Sequence, residues 1–195
     1  MRLLMLPLLS LLLSACATPP APTAVLRPET VVAVTDRAEL IRFNAGQPGR
    51  ITARLPLLGL PAGETLVGID FRVARGVLYA VSSRGQLYTL NTESARLTRV
   101  GDAAPLALQG SRFGVDFNPA ADRVRVVSDQ AQNLRLHPDT GAVAATDPAL
   151  AYAPDDVAAG RAPQVSAAGY TYNADNDKLT TNYAIDLAAG TLVMQ

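Results

Sequence analysis

GIDFRVARGVLYAVSSRGQLYTLN, residues 68–91, and GVDFNPAADRVRVVSDQAQNLRLH, residues 114–137, are the two stretches on which the fold turns. Their openings, Gly68-Ile69-Asp70-Phe71 and Gly114-Val115-Asp116-Phe117, lie 46 residues apart. Ten residues after each glycine an apolar run begins, Leu78–Ser82 and Val124–Ser128. Thirteen residues further on stand Asn91 and His137, each closing an alternating segment, Tyr88-Thr89-Leu90 and Leu134-Arg135-Leu136. Apolar residues two apart share one face of a strand, so Thr89 and Arg135 between them point the other way.

The pattern extends in both directions. Upstream, Val31–Thr35 leads to Ile41-Arg42-Phe43 and Asn44; downstream, Tyr183-Ala184-Ile185 precedes Asp186. After each Asn, His or Asp comes a turn rich in Gly, Pro or Thr, at 45–49, 92–95, 138–141 and 187–190. Asn and Asp suit that first position because their side chains bond back to nearby backbone. Another short strand follows each turn, at 51–55, 97–100, 143–145 and 192–194. No stretch keeps a helical period.

The unit is therefore four short strands joined by hairpins, repeating every 46 to 49 residues. A four-stranded unit cannot bury both faces alone, whereas stacked units can. The expected fold is all-β, a β-propeller-like array of about four four-stranded blades. A β-sandwich also uses short strands, but gives no reason for registered copies. The array can be incomplete or open. Its first copy lacks the glycine-led strand, and in the fourth only 7 residues separate Leu179 from Asp186 where 13 are expected. There Gly169-Tyr170-Thr171-Tyr172 carries Thr171 in place of the aspartate. An open seam exposes strand edges, which proteins avoid. Self-association, local pairing of Ala24–Pro28, or a shortened chain would each account for it, although proline in the second weakens a ladder.

The first residues have another purpose. Met1-Arg2, the apolar run Leu3–Leu13 and Ser14-Ala15-Cys16 have the layout of a secretory signal peptide over 1–15. Its apolar run is shorter than the ~20 residues that span a bilayer. Leu13-Ser14-Ala15-Cys16 resembles the bacterial lipobox, which makes Cys16 the lipidated first residue of the mature chain. By the same resemblance, Ala17 after the cysteine points to the outer membrane. Residues 16–28 form a Pro/Ala-rich tether, and the repeat domain covers 29–195. Cys16 is the only cysteine, so a mature chain has no disulfide and no thiol for zinc or catalysis. A net charge of zero requires no basic face and suggests no nucleic-acid partner.

The phrases LVGIDFRVARGVLYAVSSRGQLYTLN and FGVDFNPAADRVRVVSDQAQNLRLHPDTGAVAATDPALAY resemble the bacterial domain of unknown function 4394, from about Val31 to the C-terminus. The resemblance implies an exported, propeller-type repeat protein and carries over no activity. It also implies relatives that run on for about another blade, which puts closure of a ring within this chain in question.

Each candidate for chemistry has a structural counterpart. Asp70 and Asp116 occupy equivalent places on the glycine-led strands, where paired carboxylates could bind a ligand or cation or act as acid and base. Repeated aspartates also accept backbone hydrogen bonds and pin neighbouring units. His137, the only histidine, takes a turn position that Asn or Asp fills elsewhere, so no Ser–His–Asp triad is indicated. Asn173–Asp177 resembles a calcium loop but has Lys178 where glycine is required and Ala184 where glutamate is. The long loop Thr146–Gln164 carries Asp147, Tyr152, Asp155, Asp156 and Arg161 and implies no particular ligand.

No catalytic residues, metal site or cofactor are indicated. The reading is an outer-membrane lipoprotein, a non-enzymatic binding or scaffolding module. Its partners would be the membrane, through the lipid on Cys16, and an envelope protein or glycan, with self-association a further expectation. The alternatives are a hydrolase or lyase acting on polysaccharide through Asp70 and Asp116, and a truncated paralogue without activity.

Overall fold

The computed structural model describes residues 25–176 and 178–195; Cys16, the rest of 1–24 and Asp177 lie outside the described residues. Four antiparallel sheets follow one another along the chain, each with its strands in sequence order. Sheet 1 holds β1 (Thr30–Val34), β2 (Glu39–Asn44) and β3 (Ile51–Pro56). Sheet 2 holds β4 (Leu66–Arg72), β5 (Val77–Ser82), β6 (Leu87–Leu90) and β7 (Leu97–Arg99). Sheet 3 holds β8 (Phe113–Asn118), β9 (Arg123–Ser128), β10 (Asn133–Leu136) and β11 (Val143–Thr146). Sheet 4 holds β12 (Val165–Tyr170), β13 (Asn182–Asp186) and β14 (Thr191–Met194). The only helical element among the described residues is a 3-10 turn at Val73–Arg75.

Two sheets have three strands rather than the expected four. Sheet 1 lacks a glycine-led first strand, as the residue spacing predicts. Sheet 4 departs differently. Its Tyr183-Ala184-Ile185 strand, which the repeat aligns with β6 and β10, pairs directly with the lead strand through Ala168↔Ala184 and Gly169↔Tyr183. β13 thus takes the second-strand place held by β5 and β9, and among the described residues the outermost place of the sheet is empty, because the segment between β12 and β13 offers no apolar alternation for a strand of its own. Instead Asn173 turns the chain, its Oδ1 accepting the amides of Asp175 (2.9 Å) and Asn176 (3.0 Å).

Alternation splits each inner strand between two cores. On β5, Leu78 and Ala80 join Leu40 of sheet 1, while Tyr79 and Val81 pack with Val115, Phe117 and Val124 of sheet 3. Tyr79 meets Phe117 edge-on, ring centroids 5.0 Å apart. A third, smaller cluster links Val127 of sheet 3 to Val165 and Ala184 of sheet 4. Burying one such aliphatic side chain stabilises by ~1.5–3 kcal/mol, so most of the cohesion lies between sheets 1 to 3.

The lead-strand glycines are spacers between sheets. A Cβ at Gly68 would lie 2.5 Å from the Val115 side chain, and one at Gly114 would lie 2.5 Å from the Ala168 amide nitrogen. Strands β4, β8 and β12 thereby press against one another in sequence.

Candidate functional site

That close approach delivers two carboxyl groups to the gaps between lead strands. The Asp70 side chain on β4 accepts the amide of Phe117 on β8 at 2.8 Å. The Asp116 side chain on β8 accepts the amide of Tyr170 on β12. The two carboxyls lie close enough to influence each other. Burial, then the hydrogen-bonding influence of Asp70, then its charge push the Asp116 pKa up to about 8, against the pull of the Tyr170 and Phe117 amides. At neutral pH the pair therefore holds a proton. A carboxyl at the equivalent place in sheet 4 is absent: the residue before Tyr170, as Asp116 is before Phe117, is Gly169, and not Thr171 as the sequence alignment suggests.

Arginines form a second set of links. Arg72, with its side chain 8% exposed, reaches from β4 to the turns of sheet 3. Its Nε donates to Asp122 Oδ1 and its Nη1 to Asp139 Oδ1, both at 2.7 Å, and its Nη2 pairs with Asp122 Oδ2. These bonds raise the Arg72 pKa further and hold that of Asp139 below the usual carboxylate range. Between sheets 3 and 4, Arg125 donates to the Tyr170 hydroxyl at 2.6 Å and to Asn133. Asp147 in turn accepts two bonds from Arg135, at 2.8 and 2.6 Å, which depress its pKa. In sheet 1, Arg42 donates to the Thr92 carbonyl of sheet 2 at 2.7 Å.

Sequence reasoning singled out the two aspartates but not these arginine pairs. A signal existed. Arg42 and Arg135 occupy the mid-strand positions that point away from the apolar face, and a charge set between sheets needs a partner. Nothing local says which carboxylate supplies it.

The remaining candidates are turn and loop residues. His137 Nδ1 accepts the Asp139 amide at 3.3 Å. Asn91 Oδ1 likewise accepts the amides of Glu93 and Ser94, and Asp186 Oδ1 those of Ala188 and Ala189. Within the long loop, the Tyr152 hydroxyl donates to the buried Asp186 at 2.5 Å, which lowers the Asp186 pKa and raises that of the phenol. Asp155 and Arg161 are exposed. Among the described residues, no group of three or more His, Cys, Asp or Glu side chains is placed to hold a metal ion.

Beside the carboxyl pair is a shallow cleft of about 120 Å³, lined by Asp70, Arg72, Asp116, Asp122, Tyr170 and Tyr172 among others. It combines aromatic side chains with a protonated carboxyl and a fully paired arginine. Tyr172 and Phe71 at its rim are half exposed.

Sheets of three or four strands, stacked in sequence and locked by repeated aspartates at their lead strands, define a β-repeat protein. A family model described as Domain of unknown function (DUF4394) matches residues 39–195, and the chain belongs to that family. No curated protein matches the chain. Among solved structures, that of U3-55K aligns with a TM-score of 0.44 at 11% identity, over 85% of this chain and 47% of that one. BBS1N in complex with ARL6DN aligns with a TM-score of 0.41 at 13% identity, over 90% and 52%. The chain spans about half the length of these two structures.

Proposed function

We propose that this chain is a propeller-like binding or scaffolding module, lipid-anchored through Cys16 at the outer membrane, that holds an envelope glycan at the cleft beside Asp70 and Asp116. The observation that carries the reading is the commitment of both carboxyls to sheet-to-sheet bonds. They brace the cleft, and its rim offers Phe71 and Tyr172 as flat apolar faces next to polar groups. Sugar rings dock on such faces. At about 120 Å³ the cleft is smaller than the ~300–1,000 Å³ that encloses a small-molecule ligand, which fits a surface gripping part of a chain.

A polysaccharide hydrolase is the second reading, favoured by the raised pKa of Asp116 beside Asp70. Its geometry is against it. Glycosidase carboxyls stand ~5 Å or more apart and face the sugar between them, whereas each of these already accepts a backbone amide of the next lead strand.

The test is calorimetric titration of the full chain with soluble envelope polysaccharides, followed by assay of the same mixtures for new reducing ends or unsaturated products. The expected result is saturable binding, weakened in Tyr172→Ala, with the polysaccharide intact. Products that appear with wild type and vanish in Asp116→Asn would establish the enzyme instead. Palmitate labelling that is lost in Cys16→Ser, and outer-membrane fractionation, check the anchor.

A further inference from the structure

Each sheet has one face toward the sheet before it and one toward the sheet after it. In sheets 2 and 3 the preceding-side face consists of Leu78, Ala80, Tyr88 and Leu90, and of Val124, Val126, Leu134 and Leu136, all buried. The same repeat positions in sheet 1 are Val31, Ala33, Ile41 and Phe43. They are apolar throughout, yet no sheet precedes them among the described residues, and they are only half-buried. Sheet 4 is the mirror case. Its face away from sheet 3 carries Tyr183, Ile185, Leu192 and Met194, joined by the pairings Tyr183↔Met194 and Ile185↔Leu192. These four are 38%, 44%, 68% and 74% exposed.

Among the described residues, none of the apolar clusters joins sheet 1 to sheet 4. The described residues thus present, at sheet 1 and at sheet 4, half of the interface that the sheets build between them. One terminal face is of the kind that receives a preceding sheet, and the other is of the kind that receives a following one.

We propose that the occupant of both faces is a second copy of this chain, with sheet 4 of each copy stacked on sheet 1 of the other. A two-fold axis uses each face once per copy and leaves neither open. The pairing continues the repeat's own interface in register, so it demands no new chemistry. It removes two apolar patches from water. It needs neither the lipid nor a glycan, and so stands or falls apart from the function proposed above.

The test uses the full 195-residue chain in mild detergent, carrying Cys16→Ser so that introduced thiols are the only ones. Copies bearing Ile41→Cys are mixed with copies bearing Ile185→Cys and treated with a short bis-maleimide. A crosslinked dimer that forms in the mixture, and with neither variant alone, is the expected result. Ile185→Arg places a charge on an already exposed position, so it should abolish the sedimenting dimer while leaving the unfolding midpoint equal to that of wild type diluted until it is monomeric. A monomeric wild type, Ile185→Cys copies that crosslink to one another, a ladder of higher species, or a dimer that survives Ile185→Arg would each overturn the proposal.

Discussion

The Asp116 pKa is raised because two features act together: the group is half-buried, and a second carboxyl, Asp70, stands beside it. The pKa is raised from the ordinary 3.8 to about 8, so between those values the folded chain binds a proton that the unfolded chain does not. Stability from this group is therefore full below about pH 4 and is lost as pH rises toward 8. Asp139, Asp147 and Asp186 are held low and act in the opposite sense, losing stability as pH falls through the acid range. Comparison with a variant isolates Asp116. The carboxamide introduced by Asp116→Asn can still accept the Tyr170 amide and donate to Asp70 without a titrating proton. The urea midpoint of wild type should fall between pH 5 and 8.5 relative to that of Asp116→Asn, which should be the more stable protein at the alkaline end. Equal slopes for the two proteins would mean that the carboxyl pair is not protonated as described.

Strands and turns were largely legible from local pattern, and the lead-strand glycines show where that legibility stops. Gly68, Gly114 and Gly169 look alike in sequence, but their surroundings differ. A methyl group at Gly114 would strike the backbone of Ala167 and Ala168, which cannot give way. Gly114→Ala should destabilise by about 2 kcal/mol or more, as overpacking does. Gly169→Ala meets open space and should change the thermal midpoint little. If both substitutions cost the same, the glycines serve backbone conformation rather than spacing.

Arg72 acts between elements too, since its planar fork spans Asp122 and Asp139. Lysine keeps the charge and loses the fork, so Arg72→Lys should cost about 1–2 kcal/mol by urea unfolding. The β13 strand is the opposite lesson. Its residues read correctly as a strand ending in a turn aspartate, but its neighbour was set by the missing strand between 171 and 181. Pairing is a competition among segments, and one segment's pattern does not report its rivals.

Across the whole molecule, protection from water is uneven. Sheets 2 and 3 are packed on both faces, whereas sheets 1 and 4 are packed on one. Opening should follow that order. Amides of β5 and β9 should exchange last in deuterium, and those of β3 and β14 first; dimerisation through the terminal faces would slow β13 and β2 with rising concentration. Uniform exchange across the four sheets would contradict the division of the core.

The sequence by itself determined that this chain is all-β, built of registered hairpin units, a member of its family, and closed at each unit by an Asn, Asp or His turn. Alternation, turn chemistry and repeat spacing are local properties, and reading them needs no distances. The tertiary structure alone decided that Asp70 and Asp116 each accept an amide of the next lead strand, that Arg72 reaches Asp122 and Asp139, and that β13 lies against β12. Those outcomes join residues from different repeats, or rest on a strand that never forms. They follow from how closely the lead strands approach, a distance that no local period encodes.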